Sequence, residues 1–316
     1  GREARALVQG GMGIGISAHR LAGTVARENC VGTISSVDLR RHHPDLMRAT
    51  GRSRDRQAIE ATNLTALERE IRAAREIAGG NGIIAVNVMR AVSQYAGYVR
   101  QSCASGADAI VVGAGLPFDL PELTADYPGV ALIPILSEAR AIGLVLRKWM
   151  RKGRLPDAIV IEHPRYAGGH LGAAKVDDVG DSRFDFAQVL PAAERLFEEL
   201  GIAPIPLIVA GGINSPERVR EALALGAAGV QVGTPFAVTV EGDAHPNFKR
   251  VLAEARPEDI VTFMSVAGLP ARAVRTPWLA RYLGMEALLQ SRAKLRRCTL
   301  AFECLAQCGL RDGKPG

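Results

Sequence analysis

The feature that most constrains the fold of this chain is a repeated alternation of short apolar runs with longer amphipathic stretches. Each run is apolar over nearly its whole length, which is typical of a parallel strand that is covered on both faces. The eight runs are residues 6–9, 31–35, 83–88, 109–112, 131–136, 158–162, 206–210 and 229–232. Eight strands that alternate with helices predict a closed (β/α)8 barrel, the TIM-barrel fold, rather than an open sheet.

The stretches between the runs carry helix signals. In residues 66–78, Leu67, Ile71 and Ala74 fall on one face of a helix. Another helix is predicted to begin at Pro216, because Ser215 is a good N-terminal cap and proline fits the first helical position.

The rhythm changes near the end of the chain, where helical segments are interrupted by Pro257, Pro270 and Pro277. We therefore expect a barrel domain over residues 1–240 and a C-terminal helical extension over 241–316 that packs on it. Two long polar segments within the barrel, residues 37–63 and 163–184, are predicted to be loops. Loops that follow strands lie at the catalytic end of such barrels.

Composition narrows the function classes. The chain carries a net charge of +6, but aromatic residues make up only 5% of it. It contains no basic stripe interleaved with aromatic residues, so we do not expect it to bind nucleic acid. No apolar run is long enough to span a membrane, and no signal peptide is visible. We expect a cytoplasmic protein that acts on a small molecule. A homodimer remains open.

Two glycine-rich junctions follow the seventh and eighth runs, at Gly211-Gly212 and at Gly233-Thr234. Glycine lets the main chain approach a ligand closely, and the free N–H groups at the start of a helix favour an anion. Barrels commonly bind phosphate with these two loops. The junctions therefore predict a phosphate-bearing ligand, and tight turns without a ligand are the alternative.

The first junction allows a competing interpretation. Gly13, Gly15 and Ala18 satisfy the looser dinucleotide-binding fingerprint, and Asp38 lies twenty residues beyond Ala18. A Rossmann dehydrogenase would use this pattern. It would not need the glycine-rich junctions after the seventh and eighth strands, and it normally needs a separate substrate domain, of which we find no sign in this sequence.

Seven short motifs occur in order along most of the chain. They are Gln9-Gly10-Gly11-Met12, Val86-Asn87-Val88-Met89, Gly113-Ala114-Gly115-Leu116-Pro117, Ala167-Gly168-Gly169-His170-Leu171-Gly172, Ala210-Gly211-Gly212-Ile213, Gln231-Val232-Gly233-Thr234 and Ala244-His245-Pro246-Asn247-Phe248-Lys249. Together they resemble the nitronate monooxygenases, formerly called 2-nitropropane dioxygenases, and the flavin-dependent enoyl-acyl carrier protein reductases. Each motif alone is unspecific, but seven motifs in the same order and at matching spacings are specific.

The resemblance implies a TIM barrel that holds FMN non-covalently and oxidises alkyl nitronates with O2. The alternative within the same fold is an NAD(P)H-dependent reductase of an enoyl thioester or a quinone, and a non-catalytic flavin binder is a third. Gly11 and Met12 are implied to approach the isoalloxazine ring, and Asn87 to hydrogen-bond the flavin. The residues implied to surround the ribityl chain and phosphate are Gly169, Gly211, Gly212, Gln231, Gly233 and Thr234.

His170 is the predicted catalytic residue. It lies between Gly169 and Gly172, so its imidazole is unobstructed, and histidine is suited to proton transfer at physiological pH. The resemblance implies that it stands beside the reactive edge of the flavin, where it binds the nitronate or takes a proton from a nitroalkane. A histidine held structurally within a loop is the alternative.

Three cysteines cluster at the end of the sequence, at Cys298, Cys304 and Cys308. Such thiols could hold an iron–sulfur cluster or zinc, but both usually have four ligands. Cys304 and Cys308 could instead pack on one helix face as small apolar residues. The sequence therefore predicts no metal site and leaves a cluster or zinc as the alternative.

Overall fold

A closed barrel of eight parallel strands forms the centre of the computed structural model, which describes residues 4–265 and 268–293. The barrel strands are β1 (Leu7–Gln9), β2 (Val31–Ser35), β3 (Ile83–Met89), β4 (Ala109–Gly113), β5 (Ala131–Leu136), β6 (Ile159–Glu162), β8 (Leu207–Ala210) and β9 (Gly229–Val232). Outside the barrel lie β7 (Gly169–His170), β10 (Ile260–Met264) and β11 (Pro270–Val274). The predicted (β/α)8 barrel is confirmed, and each predicted run matches one barrel strand to within one residue at either end.

Helices connect the strands and cover the outside of the barrel. They are α1 (His19–Arg27), α2 (Pro44–Thr50), α3 (Arg56–Ala78), α4 (Tyr95–Ala104), α5 (Leu120–Leu123), α6 (Ala139–Met150), α7 (Phe186–Leu200), α8 (Pro216–Ala224), α9 (Thr234–Ala237), α10 (Pro246–Glu254), α11 (Pro277–Leu283) and α12 (Glu286–Ala293). As predicted, α8 begins at Pro216, and the hydroxyl of Ser215 accepts a hydrogen bond from the N–H of Arg218.

Two apolar layers explain why the strands are apolar on both faces. Inside the barrel, Ala85, Ala109 and Val111 form a buried cluster. Outside it, alternate strand residues such as Ile34 and Ile161 pack with residues of the helices in the largest core cluster. Side chains of a strand point alternately to its two faces, so each strand of this barrel contributes to both layers.

The short strand β1 closes the barrel with help from a side chain. On one side β1 pairs with β9 through three residues. On the other side it pairs with β2 through Val8 and Val31 alone. The side-chain amide of Gln9 continues this second seam. It accepts a hydrogen bond from the N–H of Thr33 at 2.9 Å and donates one to the Thr33 carbonyl at 3.2 Å.

The segment predicted to be a long loop over residues 37–63 is largely helical, so that prediction was wrong. It contains a 3₁₀ turn at Leu39–His42, then α2, and then the first residues of α3. The carboxylate of Asp55 caps α3 by accepting from the N–H groups of Gln57 and Ala58. This cap starts the helix ten residues before the predicted start at residue 66.

The C-terminal extension contains strands as well as the predicted helices. β10 and β11 form an antiparallel hairpin, and β11 also pairs with β7. The extension is therefore not purely helical. It forms a small sheet with the segment that follows β6. Cys298, Cys304 and Cys308 lie outside the described residues.

No helix among the described residues has the length and apolarity that crossing a membrane requires.

Gly32 should be essential for the packing of α1 on β2. A Cβ atom at this position would lie 1.9 Å from the main-chain oxygen of Ala22 in α1, and a main-chain atom cannot move aside cheaply. We expect Gly32→Ala to lower the free energy of unfolding by about 3 kcal/mol, the upper part of the range for overpacked cores. Urea denaturation measures the change.

Gly129→Ala provides the matched control, because no heavy atom lies within 4 Å of the Cβ that it would add. We expect its unfolding free energy to stay within about 0.5 kcal/mol of the parent protein. Equal denaturation midpoints for the Gly32 and Gly129 variants would contradict the packing argument.

Candidate active site

The inner rim of the barrel, at the carboxyl ends of its strands, consists of small and polar side chains and one isoleucine. Every second residue of a strand faces the same side. The apolar cluster inside the barrel therefore identifies which residue at each strand end faces inward. We call this set the mouth ring: Ser35, Asn87, Gly113, Ile135, Glu162, Ala210 and Gln231. A barrel of this type carries its chemistry at this end.

The loop after β1 lies directly on the mouth ring. A Cβ atom at Gly11 would be 2.3 Å from the Cβ of Asn87, and one at Gly10 would be 3.2 Å from the Cγ of Gln231. Only glycine allows so close an approach of the main chain. The structure therefore brings together three of the predicted cofactor residues, Gly11, Asn87 and Gln231.

The loop after β9 meets the same place. Gly233 precedes α9, which begins at Thr234, and a Cβ at Gly233 would be 3.7 Å from the sulfur of Met12. The N–H of Met12 donates to the hydroxyl of Ser17 at 2.8 Å, which holds the β1 loop in a compact turn. Met12 and Gly233 therefore lie next to each other at the mouth.

Gly211 and Gly212 follow β8 with φ angles of +102° and +75°, which other residues rarely adopt. The ring of Tyr166 lies against this pair, since a Cβ at Gly212 would be 3.2 Å from its Cγ. Tyr166 itself is 45% exposed. The glycine pair therefore makes room for an aromatic side chain that the sequence did not indicate.

His170 lies in β7, outside the barrel, in the segment that follows β6. β7 pairs with β11, with His170 opposite Ala271 and Gly169 opposite Arg272. The Nε2 atom of His170 is 3.2 Å from the hydroxyl oxygen of Ser265, a buried residue next to β10. The C-terminal hairpin thus fixes the main chain and the ring of the predicted catalytic histidine.

The surroundings of His170 affect its charge. Part of the residue remains exposed, but the neighbouring protein desolvates the ring and lowers the pKa of His170 below its ordinary value. Because desolvation disfavours the charged form, the surroundings favour the neutral imidazole. Gly169 beside it has a φ of +72°, and no heavy atom lies within 4 Å of where its Cβ would be.

Glu162 closes the rim at β6 and is the only residue of that strand that is not fully buried. Burial raises the pKa of Glu162 to about 7. The next residue, His163, is buried and has partners on both ring nitrogens: Asp185 at 3.0 Å and the N–H of Arg165 at 3.2 Å. His163 therefore has a structural role, whereas the carboxyl of Glu162 lies at the mouth, where a ligand could contact it.

The segment after β2 also reaches the β1 loop. A Cβ at Gly15 would be 2.5 Å from the Nε2 atom of His42. Behind this contact, the buried carboxylate of Glu70 lies 2.7 Å from the Nδ1 of His19 and 2.9 Å from the Nε2 of His43. His42 thus reaches the β1 loop, and His43 connects the segment to α3.

The glycine fingerprint at Gly13 and Gly15 does not open a Rossmann sheet, because the strands close into a barrel. Asp38 instead pairs with Arg40 and Arg41. Within residues 4–265 and 268–293, no group of three or more histidine, cysteine, aspartate or glutamate residues could hold a metal ion.

Sequence reasoning missed Ser265 and Tyr166 as residues of the site. Nothing in the sequence indicates that Ser265, 95 residues away along the chain, contacts His170. Tyr166 could have been noticed, because an aromatic residue four positions before a candidate catalytic histidine is conspicuous.

Comparisons with known proteins agree with this architecture. A probable nitronate monooxygenase of Bacillus subtilis is 33% identical over 121 residues, which are 38% of this chain and 33% of that protein. The matched segment thus spans about a third of the relative. The solved structure of FabK from Thermotoga maritima superposes with a TM-score of 0.67 at 22% identity, over 92% of this chain and 78% of that one.

A second solved structure, nitroalkane oxidase from Streptomyces ansochromogenes, superposes with a TM-score of 0.65 at 18% identity, over 88% of this chain and 78% of that one. At these identities the two solved structures support the fold alone. The sequence profile of the family described as "Nitronate monooxygenase" matches residues 4–297. Because that match covers nearly the whole chain, the protein belongs to the nitronate monooxygenase family.

Proposed function

We propose that this protein is an FMN-dependent oxidoreductase that oxidises alkyl nitronates with O2, and that His170 takes the proton when a neutral nitroalkane is converted to its nitronate. The observation that carries the proposal is the convergence of the β1, β3 and β9 junctions at the mouth, where Gly11 contacts Asn87 and Gly10 contacts Gln231. His170 belongs to the segment that leaves the same end of the barrel after β6. Family membership supports the same activity.

The residues present fit a flavin. The hydroxyls of Thr33 and Ser36 are buried without a hydrogen-bond partner among the described residues, although buried polar groups are normally paired. Thr33 contacts the Gly11 position. A ring with hydrogen-bonding edges that lay on Gly11 and Asn87 could satisfy such groups, so Gly11, Met12 and Asn87 would hold the isoalloxazine.

The phosphate of FMN would lie at the junctions after β8 and β9. Gly211 and Gly212 have positive φ angles that turn the main chain sharply before α8, and Gly233 and Thr234 begin α9. The first N–H groups of a helix have no partner within the helix, and they favour an anion. Gly169 and Gln231 would complete the contacts of the ribityl chain.

FMN, when bound, would supply the electron-accepting chemistry. The protein would supply His170, whose neutral imidazole can accept the proton that a nitroalkane loses from its carbon when it becomes a nitronate. Ser265 contacts Nε2 at 3.2 Å, so it orients the ring and leaves Nδ1 as the nitrogen that would accept the proton. A neutral ring is a proton acceptor rather than a fixed cation, so the lowered pKa of His170 supports this role.

A second candidate is an NAD(P)H-dependent reductase of an enoyl thioester or a quinone. One observation favours it: Arg48, Arg52 and Arg54, after β2, are exposed and form no ion pair within the described residues. Such cations could meet the phosphates of a dinucleotide or of a thioester carrier.

An anaerobic mixing experiment separates the two candidates. We expect the FMN-loaded protein to lose its visible flavin absorbance when it is mixed with an alkyl nitronate, and to lose it far more slowly with NADH or NADPH. Stopped-flow absorbance measures both rates. Rapid bleaching by a nicotinamide, with none by the nitronate, would favour the reductase.

Replacing the imidazole tests its role. We expect His170→Ala to slow bleaching by a neutral nitroalkane about 10²–10⁴-fold, the usual contribution of a general base, with FMN still bound. His245→Asn is the matched control, because His245 only caps α10 and asparagine is a good cap. An unchanged rate of bleaching by the nitroalkane in the His170→Ala variant would exclude His170 as the proton acceptor.

The pH profile should reveal the same group. Because the reaction of a nitroalkane needs neutral His170, kcat/KM should be constant above the pKa of His170 and fall about tenfold per pH unit below it. The lowered pKa puts this limb below about pH 6.5, the unperturbed value. With a preformed nitronate the limb should disappear. A limb that persists in His170→Ala would show that another group titrates.

A further inference from the structure

Glu162 has a position that the proposed chemistry does not use. It is the last residue of β6, where its neighbours Ile159 and Ile161 face the outer core, so Glu162 points into the barrel mouth. In the strand register it stands opposite Ala210, the residue directly before Gly211 and Gly212. Its carboxyl is therefore one strand away from the proposed phosphate site.

No hydrogen bond or ion pair reaches the carboxyl of Glu162 from the described residues, and burial alone raises its pKa to about 7. The next residue, His163, is directed elsewhere by its contacts with Asp185 and Arg165. A carboxyl without a basic partner at the mouth of a barrel is unusual, because an isolated buried charge is costly.

The other titratable groups around this part of the mouth do not neutralise it. They are Glu138 after β5, Arg165 and Tyr166 in the segment after β6, and His170 in β7. β8 adds only apolar residues before its glycines, and Gln231 of β9 is neutral. Arg165 lies over the Tyr166 ring, with its Cζ 5.7 Å from the ring centroid.

We propose that FMN binding is linked to a proton on Glu162: the cofactor binds the form in which this carboxyl is neutral, and ionisation of the carboxyl weakens binding. The inference rests on the proposed function, because it needs the FMN phosphate at the glycine junctions. That phosphate carries nearly two negative charges at neutral pH. A carboxylate one strand away would repel it, whereas a protonated carboxyl would not.

The sign of the linkage follows from this repulsion. A bound phosphate raises the pKa of Glu162 further, so the complex holds the proton over a pH range in which the free protein has lost it. Binding therefore takes up a proton above pH 7, and the dissociation constant rises with pH by at most about tenfold per unit. Well below pH 7 the carboxyl is neutral in both the free protein and the complex, so the linkage vanishes.

Titration of the apoprotein with FMN, followed by quenching of flavin fluorescence between pH 6 and pH 9, tests the proposal without turnover. We expect the wild-type dissociation constant to rise at least tenfold between pH 7 and pH 9. Glu162→Gln should bind with the tight, low-pH affinity over the whole range. Glu138→Gln, which removes a carboxylate that is partly exposed at the same end of the barrel, should behave like the wild type.

Two further measurements make the outcome decisive. Riboflavin, which lacks the phosphate, should bind with no rise above pH 7. Calorimetry of FMN binding at pH 8 in two buffers of different ionisation enthalpy should show proton uptake by the wild type, which needs no variant. Tight FMN binding that is independent of pH, or a rise that persists in Glu162→Gln, would overturn the linkage and leave the proposed function intact. A protein that binds no FMN would overturn both.

Discussion

The whole site depends on the closure of the barrel at β1. This strand is three residues long, and it is held on one side by main-chain pairing with β9 and on the other by the side-chain amide of Gln9 on Thr33. Closure brings all eight carboxyl ends to one opening. It also lays the glycines that follow β1 onto Asn87 of β3 and Gln231 of β9, so that residues more than 200 positions apart share one surface.

Glycine has two different functions at this opening. At Gly10 and Gly11 it permits contact between the main chain and the side chains of neighbouring strands. At Gly211 and Gly212 it permits positive φ angles, and the absence of side chains also accommodates Tyr166. A ligand at these junctions would therefore share the space with an aromatic ring, and the ring would form part of its binding surface.

The barrel strands were predictable because both faces of each strand are buried, which gives nearly unbroken apolar runs. The site residues on those strands are implied by the family resemblance that the strand-end motifs carry, and they stay a prediction. The C-terminal hairpin was not predictable, because a short apolar segment such as Ile260–Met264 reads equally well as helix or strand. Its pairing with β7 depends on contacts about 100 residues apart in sequence. The helical segment after β2 was missed because its polar, arginine-rich composition suggested a loop, although Asp55 supplies a helix cap.

The pairing of β7 with β11 has a consequence for how the protein is made. During synthesis the barrel strands up to β9 emerge from the ribosome before β11 does, so a nascent chain can close its barrel while His170 still lacks its partner strand. The main-chain position of His170 is therefore set only after the barrel strands have been made.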